Sequence, residues 1–114
     1  MSFAPTARIV AIHICVVRGE ALMRLDAADL VAGVGIAGER RAAPGNKPKN
    51  QLTLVEEEAL LAAMALAKVD LPIESSRRNI VTRGVALNHL VDVEFVVGDA
   101  VVRGIELCEP CGRL

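Results

Sequence analysis

Aromatic residues are almost absent from this chain of 114 residues, which has two Phe and neither Trp nor Tyr. Proteins that bind single-stranded nucleic acids stack the bases on aromatic side chains, so the composition argues against that class. A net charge of −1 supplies no general attraction to nucleic acid or to an anionic membrane. Because 53% of the residues are nevertheless hydrophobic, the core must be built mainly from aliphatic side chains.

Long apolar segments and the pattern of a secretory leader are missing as well. The longest apolar run, residues 9–17, contains His13 and is far shorter than the roughly 20 residues of a transmembrane helix. No basic segment followed by an apolar one opens the chain. The odd number of cysteines, three, is typical of a reduced protein with free thiols. We expect a cytoplasmic protein without membrane association, folded as one domain over residues 1–114.

Short β-branched segments separated by Gly, Asn and Asp predict a mostly β fold. The pair Gly98-Asp99 between two such segments predicts a two-residue hairpin turn, with Gly supplying a positive φ. Leu87 to Leu90 is expected to form one helical turn between strands. We expect one closed or nearly closed sheet, with strands that start near Arg8, Leu30, Asn79, Val91 and Ala100.

One principal helix is expected in the middle of the chain. Thr53 and Glu56 have the spacing of a capping box, which predicts a helix from about Leu54 to Lys68. Asp70 and Pro72 follow its end. The helix would cover the sheet with an apolar stripe formed by Leu60, Leu61 and Met64.

Residues 33–38 match G-x-G-x-x-G, the fingerprint of many dinucleotide sites. Such a site needs a helix that starts on the glycines, whereas residues 39–50 contain two prolines and a glycine. We therefore interpret the glycines as a bent or bulged strand. The polar loop of residues 39–50 is either a solvated connection or a flap over an anionic ligand.

Cys108 and Cys111 form a C-x-x-C pair behind the last expected strand. A zinc knuckle would need a second ligand pair, and Cys15 and the two histidines are poorly spaced for one. A thioredoxin-like pair would open a helix, whereas this pair closes a β segment. The third interpretation is a thiolate that ligates a soft metal or accepts sulfur, favoured by cations such as Arg113. His13 and Cys15 share one face of the first strand and are assigned to the core.

Several of these stretches together resemble the MOSC family, the C-terminal domain of molybdenum cofactor sulfurases, and in particular its small stand-alone bacterial members. The resemblance lies in Arg77-Arg78-Asn79-Ile80-Val81, Leu87-Asn88, Phe95, Gly98-Asp99, Gly104 and Cys108-Glu109-Pro110-Cys111. Residues 31–40 and 51–56 are similar to earlier segments of the family. The resemblance implies a barrel-like β fold, of the MOSC or pyruvate-kinase-barrel type, with one principal helix.

The resemblance also implies roles for five residues. Cys111 falls where relatives bind molybdenum or carry sulfur, which makes it the catalytic and metal-binding candidate, and Cys108 is a cofactor-binding candidate. Arg77 falls where relatives place a cationic contact to the pterin phosphate, a group that guanidinium binds well. Arg78 and Asn79 are secondary cofactor-binding candidates, and Asn79 can equally stabilise its own turn.

The implied function is a stand-alone domain that binds a pterin molybdenum cofactor (molybdopterin), or carries sulfur for metal–sulfur cluster assembly, through Cys111. Its partners would be the pterin cofactor or a sulfur donor or acceptor protein. One alternative is a molybdenum-dependent reductase of N-hydroxylated compounds, which needs a separate electron-transfer protein because no flavin or iron–sulfur motif is present. Another is a cofactor-free protein-interaction module. Glu39 departs from the Asp that is usual in relatives, and the acids Asp92 and Glu94 replace Gly and basic residues.

Overall fold

The first strand is the centre of the main sheet. In the computed structural model, which describes residues 8–106 apart from the side chains of 49, 50, 74 and 75, β1 covers Arg8–Ile14. Strands β2 (Met23–Leu25) and β6 (Ile80–Arg83) pair antiparallel with β1. Strand β5 (Leu54–Glu56) pairs parallel with β6, which gives a four-stranded sheet in the order β2-β1-β6-β5.

The core forms where the aliphatic residues of β1 and β6 meet the glycine-rich segment. Ile80 and Val81 of β6 are buried, because this strand lies between two others. Ile36 of the glycine-rich segment is fully buried. His13 and Cys15 are both buried, which agrees with their assignment to the core. Cys15 is the first residue after β1 and therefore lies at the end of the strand, whereas the apolar run predicted a position inside it.

Two hairpins stand beside the main sheet. Strands β3 (Leu30–Val31) and β4 (Gly35–Ile36) form the first, and β7 (Glu94–Val97) and β8 (Ala100–Arg103) form the second. Val97 pairs with Ala100, so the predicted two-residue turn at Gly98-Asp99 is confirmed, with Gly98 at φ +60°. The glycines of residues 33–38 bend the chain through the first hairpin and open no helix, as the sequence indicated.

The principal helix starts later than predicted. Helix α1 is a four-residue turn at Pro48–Gln51, and α2 covers Glu57–Ala67. The capping-box prediction was wrong: the N-cap is Glu56, no side chain caps the helix, and Leu54–Glu56 is strand β5. Thr53 instead hydrogen-bonds to Asn79, because pairing with β6 holds this segment extended. Single 3₁₀ turns lie at Ile73–Ser76 and Leu87–His89, the second as predicted.

The prediction of a mostly β fold with one principal helix is confirmed. The predicted closed sheet is not seen within residues 8–106, where the strands form one four-stranded and two two-stranded sheets. The parallel pair β5–β6, connected through α2, was not anticipated. The two strands can be parallel because α2 and the connection after it carry the chain back along the sheet before β6 begins.

The side chains of Glu56, Glu57 and Glu58 connect the start of α2 with the end of β6 and with the segment after it. Glu56 accepts a hydrogen bond from the Leu87 backbone N–H at 3.1 Å, and Glu57 forms a salt bridge with Arg83. Glu58 accepts from the Gly84 N–H at 2.8 Å. The Gly84 N–H, followed by the backbone N–H of Glu58 itself and the charge of Arg83, lowers the pKa of the Glu58 carboxyl below its ordinary value of 4.5.

This lowered pKa makes the Glu58 contact sensitive to acid. A group whose pKa is lower in the folded state stabilises the fold above its unfolded pKa, and that stabilisation is lost as the pH falls through the folded pKa. We expect Glu58→Gln to have a lower melting temperature than wild type at neutral pH, and the difference to shrink below about pH 4. Thermal unfolding from about pH 3 to pH 7 measures it. Glu94→Gln is the control, since Glu94 is exposed and its side chain accepts no hydrogen bond within residues 8–106. Parallel pH profiles for Glu58→Gln and wild type would contradict the assignment.

Candidate functional site

The turn that leads into β6 presents the predicted arginines. Arg77 has a left-handed backbone, with φ +57°, directly after the 3₁₀ turn Ile73–Ser76. The Arg78 N–H donates to Ser76 Oγ at 3.3 Å, which closes the turn. The Arg77 Nη2 donates to the Glu20 carbonyl oxygen at 3.1 Å and to Cys15 Sγ at 3.6 Å. The Arg77 side chain is therefore directed towards the loop that follows β1.

Asn79 joins this turn to three other segments. Its Oδ1 accepts hydrogen bonds from both the N–H and the Oγ1 of Thr53, each at 3.1 Å. Its Nδ2 donates to the His13 carbonyl oxygen at 3.1 Å and to Glu39 Oε2 at 3.5 Å. Since an amide side chain has two N–H donors and one oxygen with two lone pairs, these contacts use its whole capacity. As it lies in the structure, Asn79 positions the turn; the alternative role as a cofactor contact stays a prediction.

Glu39, in the segment that follows β4, contacts both Cys15 and Asn79. Its Oε2 accepts a hydrogen bond from the Cys15 backbone N–H at 2.7 Å. The neighbouring Arg40 N–H donates to the Cys15 carbonyl oxygen at 2.8 Å, so both backbone polar groups of Cys15 are held by the segment that follows β4. These contacts hold the segment after β4 against the end of β1.

The thiol of Cys15 lies inside this arrangement. Cys15 is buried, and its Sγ donates to the Val17 carbonyl oxygen at 2.9 Å while it accepts from Arg77. Cys15 therefore belongs to the cluster and contacts Arg77, the predicted phosphate-binding arginine. The sequence had assigned Cys15 to core packing alone. The described part of the chain contains no group of three or more His, Cys, Asp or Glu side chains able to hold a metal ion.

The segments of this cluster contain three arginines, Arg40, Arg77 and Arg78. Arg40 and Arg77 are exposed and Arg78 is half-buried. Within residues 8–106 the guanidinium groups of Arg40 and Arg77 form no salt bridge. The nearby carboxylate, Glu39, is directed inward to Cys15 and Asn79. Arg40 and Arg77 thus retain guanidinium donors that an anionic group can use.

The two cysteines of the predicted site, Cys108 and Cys111, lie outside the described residues. The chain up to Glu106 borders a cavity of about 600 Å³, which is also lined by Thr53 but not by Arg77. The predicted concave site shared by Arg77 and Cys111 stays a prediction.

Two members of the cluster were missed in the sequence. Thr53 was assigned to a helix cap, and Glu39 was noted as a departure from a family pattern without a contact. Both lie in the two segments, residues 31–40 and 51–56, that resemble the same family as the Arg77 turn. That shared resemblance was the available signal that these segments meet.

Comparison of the chain with protein-family models, with curated proteins and with solved structures returned no match. The family resemblance consequently rests on the quoted motifs. Among the described residues, no helix has both the length and the apolar character needed to cross a membrane.

Proposed function

We propose that this chain is a stand-alone MOSC-like domain that binds a pterin molybdenum cofactor, or carries sulfur for metal–sulfur cluster assembly, through Cys111. The observation that supports the proposal is the meeting of three segments that resemble the family. Glu39, Thr53 and Asn79 come from separate segments and are joined through the Asn79 amide. Segments that share a resemblance and also share one hydrogen-bond cluster are expected to serve one site. The barrel-like arrangement implied by the family is part of this proposal.

The described residues fit the anionic end of such a cofactor. Arg77 uses Nη2 for the Glu20 carbonyl oxygen and Cys15, which leaves further N–H donors on an exposed guanidinium. A guanidinium with free donors binds phosphate through charge-assisted, often paired hydrogen bonds. Arg78 adjoins Arg77 in the same turn and Arg40 follows Glu39, so both bring positive charge to the segments of the cluster. The cofactor, when bound, would supply redox chemistry at molybdenum, and Cys111 would supply the protein thiolate.

In the sulfur-carrier form of the proposal, the chemistry needs a donor persulfide from a partner protein. The Cys111 thiolate attacks the terminal sulfur of the donor persulfide, a new S–S bond forms, and the donor leaves as a thiolate. The product is a Cys111 persulfide, so one sulfur atom is transferred without net oxidation. Cys108, three residues before Cys111, is placed in sequence to accept or release that sulfur by the same exchange.

The phosphate contact is tested by Arg77→Ala. We expect this variant to retain the cofactor about tenfold less well or worse, because one charge-assisted contact is lost. Arg77→Lys should recover part of the loss, since Lys keeps the charge but not the paired geometry. The measurement is the molybdenum and pterin content of the purified protein, with the melting temperature recorded alongside.

The matched control is Arg24→Ala. Arg24 is also exposed and also donates to one backbone carbonyl oxygen, that of Val10 at 3.3 Å, but it lies on β2. Arg24→Ala should retain the cofactor like wild type. Equal retention in both alanine variants would contradict the role of Arg77. If wild type instead carries persulfide sulfur and no pterin, the sulfur-carrier form of the proposal applies.

A further inference from the structure

A cavity of about 600 Å³ lies between the two hairpins; Thr53 of the Arg77 cluster borders it, whereas Arg77 does not. The β3–β4 hairpin, the segment from α1 to β5, and the β7–β8 hairpin form its walls. Its lining is mainly aliphatic and aromatic and includes Leu30, Leu52, Leu90, Phe95 and Val102. The volume falls within the range of about 300–1,000 Å³ that is usual for small-molecule sites.

The cavity follows from the way the β7–β8 hairpin is held. Its residues alternate in burial: Phe95 and Val102 are half-buried and face inward, while Val96 and Val101 are largely exposed. Within residues 8–106 the hairpin shares no sheet with β1, and a single bridge between Val91 and Gly104 ties its base. The inward face therefore covers space that the main sheet does not fill. Protein interiors are otherwise close-packed, so an apolar space of this size favours an occupant that restores the missing contacts.

The chemistry of the lining defines the class of occupant. Two opposite charges, Arg103 and Glu106, border the cavity and are both exposed, so the cavity selects neither anions nor cations. Its polar side chains are already engaged: Gln51 Nε2 donates to the Asn46 carbonyl oxygen at 2.8 Å, and Thr53 bonds to Asn79. We infer that this cavity binds an uncharged, largely apolar small molecule. Arg77 does not line the cavity, so this inference does not rest on the proposed role of Arg77 in cofactor binding.

The test is a titration of the full chain with N-phenyl-1-naphthylamine, an uncharged fluorophore that brightens in apolar surroundings. We expect saturable binding with one site per chain. Ala100→Leu and Ala32→Leu each place added volume in the cavity from opposite walls, and each should weaken binding about tenfold or more. The sulfonated analogue 1-anilinonaphthalene-8-sulfonate should bind more weakly than the uncharged probe. Two cavity-filling variants are used, so that the test can still be made if one of them does not fold.

Ala62→Leu is the control, because it adds the same volume at an exposed position of α2. It should bind the probe like wild type. Binding that does not saturate, or equal binding by wild type and by a folded filling variant, would overturn the inference. Absence of binding to the full chain would overturn it too, since another part of the chain would then fill the space.

Discussion

Replacing Asn79 with alanine is expected to lower the free energy of unfolding by about 4 kcal/mol, since its side chain makes four hydrogen bonds and each one lost contributes about 1 kcal/mol. The substitution removes the oxygen that accepts hydrogen bonds from the Thr53 N–H and Oγ1, and the N–H donors to the His13 carbonyl oxygen and Glu39. These groups are half-buried or buried, so water replaces the lost partners poorly. The loss should loosen the Arg77 turn from β1. Chemical denaturation followed by circular dichroism gives the free energy.

Asn88→Ala is the matched control for this prediction. Asn88 lies in the 3₁₀ turn Leu87–His89, is exposed, and makes no side-chain hydrogen bond within the described residues. We expect its alanine variant to change the unfolding free energy by less than about 0.5 kcal/mol. If Asn79→Ala is no more destabilising than Asn88→Ala, the cluster does not hold the segments together.

The second large effect is expected at Cys111. The variant Cys111→Ser should lose bound molybdenum or persulfide altogether, because a hydroxyl replaces neither a soft-metal ligand nor a sulfur acceptor. Its melting temperature should stay near that of wild type, in keeping with a thiol that serves chemistry and little packing. Metal analysis and persulfide labelling of wild type and variant, prepared side by side, measure the loss.

Cys15→Ala is the informative companion to Cys111→Ser. Cys15 is buried, so in the folded wild-type protein it should react with an alkylating agent more slowly than Cys111. Its alanine variant should melt at a lower temperature, since it leaves a small cavity and removes the sulfur that Arg77 contacts. It should still carry sulfur or metal. A Cys111→Ser protein with the wild-type load would remove Cys111 from the proposal.

The sequence predicts best where local chemistry decides the structure. The turn at Gly98-Asp99 needs a positive φ, and the alternating Val residues beside it need one buried face, so the β7–β8 hairpin was predictable. The turn at Leu87–His89 and the burial of His13 follow from equally local patterns. That no helix starts on the glycines of residues 33–38 followed from the prolines behind them.

Prediction fails where distant residues compete for the same groups. Thr53 and Glu56 have capping-box spacing, but pairing of β5 with β6 holds their backbone extended, and Asn79 takes the Thr53 hydroxyl. No local pattern indicates that Glu39 will accept a hydrogen bond from Cys15, a contact across 24 residues. The arginine turn was identified, whereas the contacts that orient it were not, because they depend on sheet order.

The central claim is that this domain holds a molybdenum cofactor or a transferable sulfur at Cys111. The most direct measurement is the molybdenum, pterin and sulfane-sulfur content of wild-type protein, freshly purified from cells supplied with molybdate. The account predicts about one equivalent per chain of either molybdenum with its pterin or sulfane sulfur removable by a thiol reductant. Protein that contains none of the three, although folded and with Cys111 reduced, would contradict it.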